Sequence, residues 1–559
     1  MVPRRLQLAV AAAAIVAAAV LAFLLTAPPE RLVDYLSDDA FYYLGVAAHL
    51  AAGDGPTFDG ITPTTGFHPL YALLLAAIDT VVSGSHARLV AALAVNALAF
   101  VAATLALAGA AGKLWGARGA WLAALAWLTN PHALLLPFTG MEGTLCAASF
   151  AGLLWALARR STPASIAFLA LCILARTDGL LLLPLCVAVL ALEATWTQAA
   201  ATLVAVVPYG LWVLYTHAEG ALAVHGSADV KRLWRGGMTA HLGGLEEGWF
   251  SLRIFLVWIG RSLVKVPLLH WFLPWMGRAF RPRPLVAHLA WLFPAGLGLA
   301  YALLLPRAWT WYYAPGITGL TLLAAGVVTR MERLPAALVL LTLIESYGYL
   351  GFMLVQGRNR DQRDMLAASR WVALHVPPEV RVGAWNAGIY SWYSAHTVVN
   401  LDGLINDEIA GWIRSGEPMV RYLDRRGIEV VVDYDEIVRQ LPPERLHLLA
   451  RFESAWGGKP ISVVRLARAG EPLRHGDQAV GGTDLHGVIV RTTVMDVAET
   501  VARQQQAELF TLPTAHDELV IADALIAPPH KLVALGDQQE SAFSIELRHT
   551  CERQLPTIR

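Results

Sequence analysis

Long apolar runs separated by short polar turns fill the first 356 residues and then stop. They fall at about residues 6–27, 67–83, 88–110, 119–137, 141–158, 162–175, 179–195, 198–216, 254–277, 284–305, 314–329 and 334–355. Most approach the roughly 20 residues that a helix needs to cross a hydrocarbon layer. Twelve spans would put Lys113 and Arg118, and then Arg159 and Arg160, outside, against the excess of basic residues that inner loops carry. Reading 67–83 as an outer juxtamembrane helix leaves about eleven transmembrane helices. It also returns Lys113/Arg118, Arg159/Arg160, Arg278/Arg281/Arg283 and Arg330/Arg333 to the inner side, where only the turn near Glu193 lacks a basic residue. Arg4 and Arg5 hold the N-terminus in the cytoplasm, and the apolar run behind them is too long for a signal-peptide core.

An odd number of spans places the C-terminus outside, together with the larger polar segments: 28–66, 217–253, the turn at Arg307 and everything past 357. Beyond 357 the pattern becomes that of a soluble domain. Strand-like runs at Val380–Trp385, Thr397–Leu401, Ile428–Val432 and Ile461–Arg465 alternate with helical stretches, the signature of a small α/β domain. The expected organisation is a transmembrane domain over 1–356 with a first outer loop at 28–87, an extracytoplasmic α/β domain over 357–467, and a segment of open role at 468–559. That last segment holds a helix candidate near 495–508 and a strand candidate near 518–522.

Composition agrees with a bilayer as solvent: 56% of residues are hydrophobic, 15% are charged and the mean hydropathy is +0.50. The 43 basic and 43 acidic residues cancel, so bulk electrostatics draw no nucleic acid to the chain. Cys146, Cys172 and Cys186 lie within apolar runs and Cys551 stands alone near the C-terminus, forming no metal or disulfide pattern. Ala-rich helices permit close packing in lipid, and no transporter-like repeat is evident.

Chemistry is to be sought in the outer segments. Directly after the first helix come Ser37-Asp38-Asp39-Ala40-Phe41-Tyr42-Tyr43 and then Thr64-Thr65-Gly66-Phe67-His68-Pro69. Two acids here exceed what a helix cap needs, although Ser37 or Asp38 would serve as one. Glu142 follows at the outer end of the third helix, where a carboxylate also suits the N-terminus of the next. Arg176 and Asp178 interrupt two apolar half-spans, and charges so near lipid are functional candidates by default. The loop His225-Gly226-Ser227-Ala228-Asp229-Val230-Lys231-Arg232 and the turn Pro306-Arg307-Ala308-Trp309-Thr310-Trp311-Tyr312-Tyr313 add cations and aromatics. The aromatics alone would be ordinary interfacial anchors. Asp402, in Asn400-Leu401-Asp402-Gly403, reads first as a strand end and turn.

The first outer loop resembles that of the glycosyltransferase C superfamily, in particular bacterial relatives of protein O-mannosyltransferases and of the lipid A aminoarabinose transferase. The likeness extends more loosely to Glu142, the loop ending in Lys231, the Arg307–Tyr312 turn and Asp402, and covers about residues 1 to 467. It implies transfer of a sugar from a polyprenyl-phosphate donor to an acceptor hydroxyl at the outer face of a bacterial plasma membrane, with inversion. In that reading Asp38 is the base, Asp39 stands where a glutamate is more common, and Glu142 is a further catalytic acid. Tyr42, His68, Arg176, Asp178, Lys231, Arg232, Arg307, Tyr312 and Asp402 contact substrates. Asp38, Asp39 and Glu142 could instead gather a divalent ion, as in related oligosaccharyltransferases. Adjacent acids in place of an Asp-x-Asp spacing lead us to expect a metal-independent site without a cofactor. The rival classes are a transporter or lipid flippase, and a non-catalytic envelope scaffold. Charges gathered at one end of the helices, with clean helix centres, speak against a path across the membrane.

Overall fold

The structure, a computed structural model, describes residues 4–193, 195–222, 225–240, 242–267, 285–305, 309–331, 336–454, 459–467 and 488–491. The chain divides into two compact units. One is Met1–Arg358 together with Asp402–Arg414, the other Asn359–Leu401 together with Ser415–Arg559.

The first unit is helical, and its apolar runs set the helices. Among the described residues, six stretches are long and apolar enough to cross a membrane: Leu6–Thr26, Ser85–Leu128, Trp196–Ala218, Val286–Leu304, Trp311–Thr329 and Ala337–Gln356. Pro69–Asp79, Gly143–Ala158, Thr162–Ala175 and Thr177–Leu192 are shorter apolar helices. The chain is a multi-pass membrane protein. The helices used below are α1 (Arg4–Thr26), α2 (Asp38–Ala52), α3 (Pro69–Asp79), α4 (Ser85–Leu128), α5 (Gly143–Ala158), α6 (Thr162–Ala175), α7 (Gly226–Thr239), α8 (Gly244–Val264), α9 (Leu285–Leu304), α10 (Ala314–Thr329) and α11 (Ala336–Gln356).

Although continuous by hydrogen bonding, α4 is two helices. Gly116 sits at φ 75°, ψ −174°, a region open essentially to glycine. A Cβ at Gly119 would lie 2.9 Å from the Ala111 carbonyl oxygen, and one at Gly112 would lie 3.3 Å from the Ala120 Cβ. Residues eight apart on one straight helix are separated by about 12 Å, so the chain reverses at Gly116. The two arms are the spans expected at 88–110 and 119–137, the second ending at Leu128. There Asn130 caps the short helix Pro131–Leu134 by accepting from His132 and Ala133 N–H. Arg118 Nη2 donates to the Met331 carbonyl at 2.9 Å, which puts the basic turns at Lys113/Arg118 and at Arg330 at the same end of the bundle.

Central to the unit is α10, whose membrane-length window is 94% buried. Its glycines admit neighbours at backbone distance: a Cβ at Gly319 would collide with the Ala290 carbonyl of α9, the close approach that small residues allow in lipid. The eleven residues of α3 span about 16 Å, short of the roughly 30 Å hydrocarbon thickness, in keeping with a juxtamembrane helix. α8 begins ten residues before the run expected at 254–277, and residues 268–284 lie outside the described set.

The second unit holds a six-stranded sheet: β1 (Arg381–Ala384), β2 (Val398–Asn400), β3 (Ile428–Tyr434), β4 (Leu446–Glu453), β5 (Ile461–Leu466) and β6 (Val488–Arg491), in the order β2-β1-β3-β5-β4-β6. β1 runs parallel to both β2 and β3, β5 pairs antiparallel with β3 and β4, and β6 pairs parallel with β4. Four of these strands were expected; β4 and β6 were not. The helix candidate at 495–508 and the strand candidate at 518–522 lie outside the described residues. At the end of β3 the buried Asp433 accepts the N–H groups of Trp385 and Asn386 at 2.8 Å and the Asn386 side-chain amide at 2.9 Å, closing the β1 turn.

Candidate active site

Two loops of the first unit are tied together before any charge is considered. Ser37 N–H donates to the Thr139 carbonyl at 3.0 Å, so the start of α2 and the segment before α5 run side by side. This brings Asp39 and Glu142 to one cavity of about 390 Å³, also lined by Tyr42, Tyr43, Gly66, Phe67, His68, Met141, Ser227, Lys231, Trp311, Tyr312, Leu404 and Ile405. Gly66 is required by proximity, since a Cβ there would collide with the Leu404 carbonyl oxygen.

The most buried charges form a chain. Arg176, 2% exposed, donates from Nη1 to Glu142 Oε1 and from Nη2 to Asp178 Oδ2, the latter at 2.7 Å. Its guanidinium lies 4.4 Å from the Tyr312 ring centre, and the Tyr301 hydroxyl donates to Asp178. One cation therefore serves two carboxylates, and Glu142 Oε2 is left without a hydrogen-bond partner among the described residues. His68 Nε2 stands 3.8 Å from Glu142 Oε1. Because His68 Nδ1 accepts from Thr177 N–H at 3.3 Å, the neutral ring carries its proton on Nε2, toward Glu142. Burial, with His225, Arg176 and Lys231 nearby, keeps His68 well below the usual histidine range.

Lys231 is 6% exposed and donates to the Tyr312 hydroxyl at 2.9 Å; its ammonium is 4.8 Å from the Trp309 ring centre. Burial opposes its charge, but Tyr312 and Asp39 prevail and its pKa is raised. His225, with its ring 4.6 Å from that of His68, donates from Nδ1 to the Thr65 carbonyl and accepts from Ser227 Oγ at 3.2 Å. Burial pushes it down to about 4, against the pull of the Thr65 carbonyl.

The loop carrying these groups hangs on Asp407. One carboxylate oxygen accepts from Thr64 Oγ1 at 3.0 Å; the other accepts from Thr65 Oγ1 at 3.1 Å and Leu222 N–H at 3.0 Å. Thr65 N–H lies 3.1 Å from both. Burial raises the Asp407 pKa while the Leu222 and Thr65 N–H groups pull it down.

The chain that forms this cavity resembles crystal structures of ArnT from Cupriavidus metallidurans. For ArnT bound to undecaprenyl phosphate, the TM-score is 0.55 at 15% identity over 82% of this chain and 98% of that one. The fold is that of ArnT. The apo ArnT structure gives 0.54 at 15% identity over 78% and 95%. The polytopic helical fold with a C-terminal sheet domain expected from the sequence is thus the one observed. An oligosaccharyltransferase from Archaeoglobus fulgidus aligns with a TM-score of 0.45 at 13% identity, over 83% of this chain and 75% of that one. Residues 355–473 match the model of a domain of unknown function (DUF8728). No curated protein matches by sequence.

Within the ArnT fold the residues singled out by sequence divide. Asp39, Tyr42, His68, Glu142, Lys231 and Tyr312 line one cavity, with Arg176 and Asp178 behind Glu142. Asp38, 7% exposed at the first position of α2, is not among the cavity-lining residues. Arg232 is exposed, as expected of a helical residue turned about 100° from Lys231. Arg307 lies outside the described residues. Asp402 accepts Leu404 N–H at 2.7 Å in a tight turn. Asp407, five residues further on, is the acid of that stretch that reaches the Thr64–Thr65 loop. Tyr43, whose hydroxyl accepts His68 N–H at 3.2 Å, Tyr301 and His225 were likewise not singled out, although Tyr43 and His225 lie inside the motifs quoted.

Proposed function

We propose that this chain is a membrane glycosyltransferase that moves a sugar from a polyprenyl-phosphate donor to an acceptor hydroxyl at the outer face of the membrane, without a metal ion. The observation that carries the reading is a single cavity, in an ArnT fold, holding a carboxylate wall and a buried lysine on opposite sequence segments. ArnT itself has been crystallised with undecaprenyl phosphate, a ligand of the donor class proposed here.

In the reaction the acceptor oxygen bonds to the anomeric carbon, its proton passes to a carboxylate, and the bond to the phosphate oxygen breaks with its electron pair staying on the phosphate. Attack from the face opposite the leaving group inverts the centre. A phosphate leaves as an anion and needs charge stabilisation more than protonation, which suits Lys231. The acid pair at the start of α2 supplies the base. The resemblance favours Asp38, the cavity lining favours Asp39, and Lys231 couples electrostatically to Asp39. Glu142, held by Arg176, completes the anionic wall.

The test is release of free polyprenyl phosphate from short-chain polyprenyl-phosphate sugars by the purified protein. Asp38→Asn and Asp39→Asn made separately identify the base: the variant that loses at least about 100-fold in turnover carries the role. No release from any donor, or release unchanged in the double variant, rejects the transferase reading.

A further inference from the structure

A second cavity, of about 500 Å³, lies in the same unit and is lined by His132, Thr139, Lys265, Tyr349 and Arg358, among others. It draws on two of the chain segments that also line the candidate active site. The segment 35–39 gives Tyr35 to this cavity and Asp39 to the other, and the segment 138–142 gives Thr139 to this one and Glu142 to the other.

Its chemistry is the inverse of its neighbour's, because two cations and an imidazole face it and no carboxylate lines it. Among the described residues neither Lys265 nor Arg358 has an ion pair, and their electrostatic neighbours include each other and Arg261. The acid beside Arg358 in the fold is Asp34. It uses its backbone carbonyl to accept Arg358 N–H at 2.6 Å, while its carboxylate stands 3.7 Å from Arg31. Lys265 Nζ donates to His132 Nδ1 at 3.5 Å, which leaves the proton of the neutral ring on Nε2. The His132 ring packs 4.7 Å from Tyr349 and the Lys265 ammonium 5.3 Å from Tyr313. Burial depresses the Arg358 pKa, with Tyr349 opposing. Cations gathered in a partly dry site without a counter-charge cost free energy that a bound anion offsets.

We propose that this cavity is an anion site for a phosphate group. An Arg fork and a Lys point charge facing one volume match a tetrahedral dianion in geometry and in charge. The proposal stands on this cavity alone and does not require the transferase reading.

The test uses the full chain in an uncharged detergent. Its five lysines, Lys113, Lys231, Lys265, Lys459 and Lys531, are methylated reductively and followed by mass spectrometry, with inorganic phosphate or dodecyl phosphate as the probe. Bound phosphate slows modification of Lys265 by about fivefold or more and leaves Lys113 unchanged. Protection by both probes identifies a soluble anion, and protection by dodecyl phosphate alone a lipid headgroup. Unchanged Lys265 reactivity with both overturns the proposal. By calorimetry with inorganic phosphate, Arg358→Gln weakens probe binding about tenfold or more, whereas Lys113→Gln, outside both cavities, does not. The reverse pattern overturns the proposal as well. The lysine protection, read on the wild-type chain, decides the matter if Arg358→Gln fails to fold.

Discussion

Asp407 offers the sharpest test of how the site is held. Replacing it with alanine removes the acceptor for two backbone N–H groups, those of Thr65 and Leu222, and for two threonine hydroxyls. The hydroxyls can rotate to other partners, but the N–H groups cannot. Each buried N–H left unpaired costs roughly 1–3 kcal/mol, so Asp407→Ala should destabilise the first unit by about 2–6 kcal/mol. Asp407→Asn keeps one carbonyl acceptor and should cost about half as much. Thr65 also receives His225 on its carbonyl and Gly226 N–H on its hydroxyl at 3.1 Å, so the loss reaches two walls of the cavity at once. Thermal unfolding in detergent should show a drop on the order of 5 °C for the alanine variant. Polyprenyl phosphate release should fall in the order wild type, Asn, Ala. An Asp407→Ala protein that melts with the wild type and turns over at the same rate would refute the view that this carboxylate suspends the Thr64–Thr65 loop.

Three further outcomes follow from the same geometry. Arg176→Ala leaves Glu142 a buried carboxylate without its cation and Asp178 with the Tyr301 hydroxyl alone, and should destabilise by about 3–5 kcal/mol. Arg176→Lys should recover only part of this, because one ammonium cannot span both acids; full recovery in thermal unfolding would contradict the bidentate role. Gly66→Ala should abolish release while Gly248→Ala does not, since a Cβ at Gly66 meets the Leu404 carbonyl and one at Gly248, within α8, meets nothing within 4 Å. His225 has a folded pKa of about 4 against an ordinary value of about 6.5. The unfolded chain therefore takes the proton first. Stability is full above pH 6.5 and declines as pH falls toward 4, by at most roughly 3 kcal/mol. The melting temperature should fall more steeply between pH 7 and pH 4.5 in the wild type than in His225→Asn, and equal slopes would dismiss the effect.

The spans were legible because a run of apolar residues has one cheap environment, lipid. Lys113 and Arg118 marked the reversal that Gly116 executes, though nothing in the sequence said that the two arms meet as closely as Ala111 and Gly119 do. Asp39, His68, Glu142 and Lys231 were legible as charged or polar residues at the ends of apolar runs, and they meet in one cavity. Asp407 was not, because its role depends on a contact with Thr64 and Thr65 more than 340 residues away, which no local pattern encodes. Arg232 looked as useful as Lys231 because sequence adjacency hides the turn of the helix between them. β4 escaped notice because Leu446-His447-Leu448-Leu449-Ala450-Arg451 lacks a clean two-residue alternation, and a shift of its pairing register between Leu448 and Ala450 breaks the period further.

The grouping of Asp402–Arg414 with the helical unit limits how this architecture can be taken apart. A cut after Arg358, where the composition changes, would carry away Leu404, Ile405 and Asp407, three residues that line or suspend the cavity. An exchange of the sheet unit between homologous chains would succeed only by grafting around residues 402–414. The cavity is discontinuous in the gene, and recombination at the apparent boundary separates its parts.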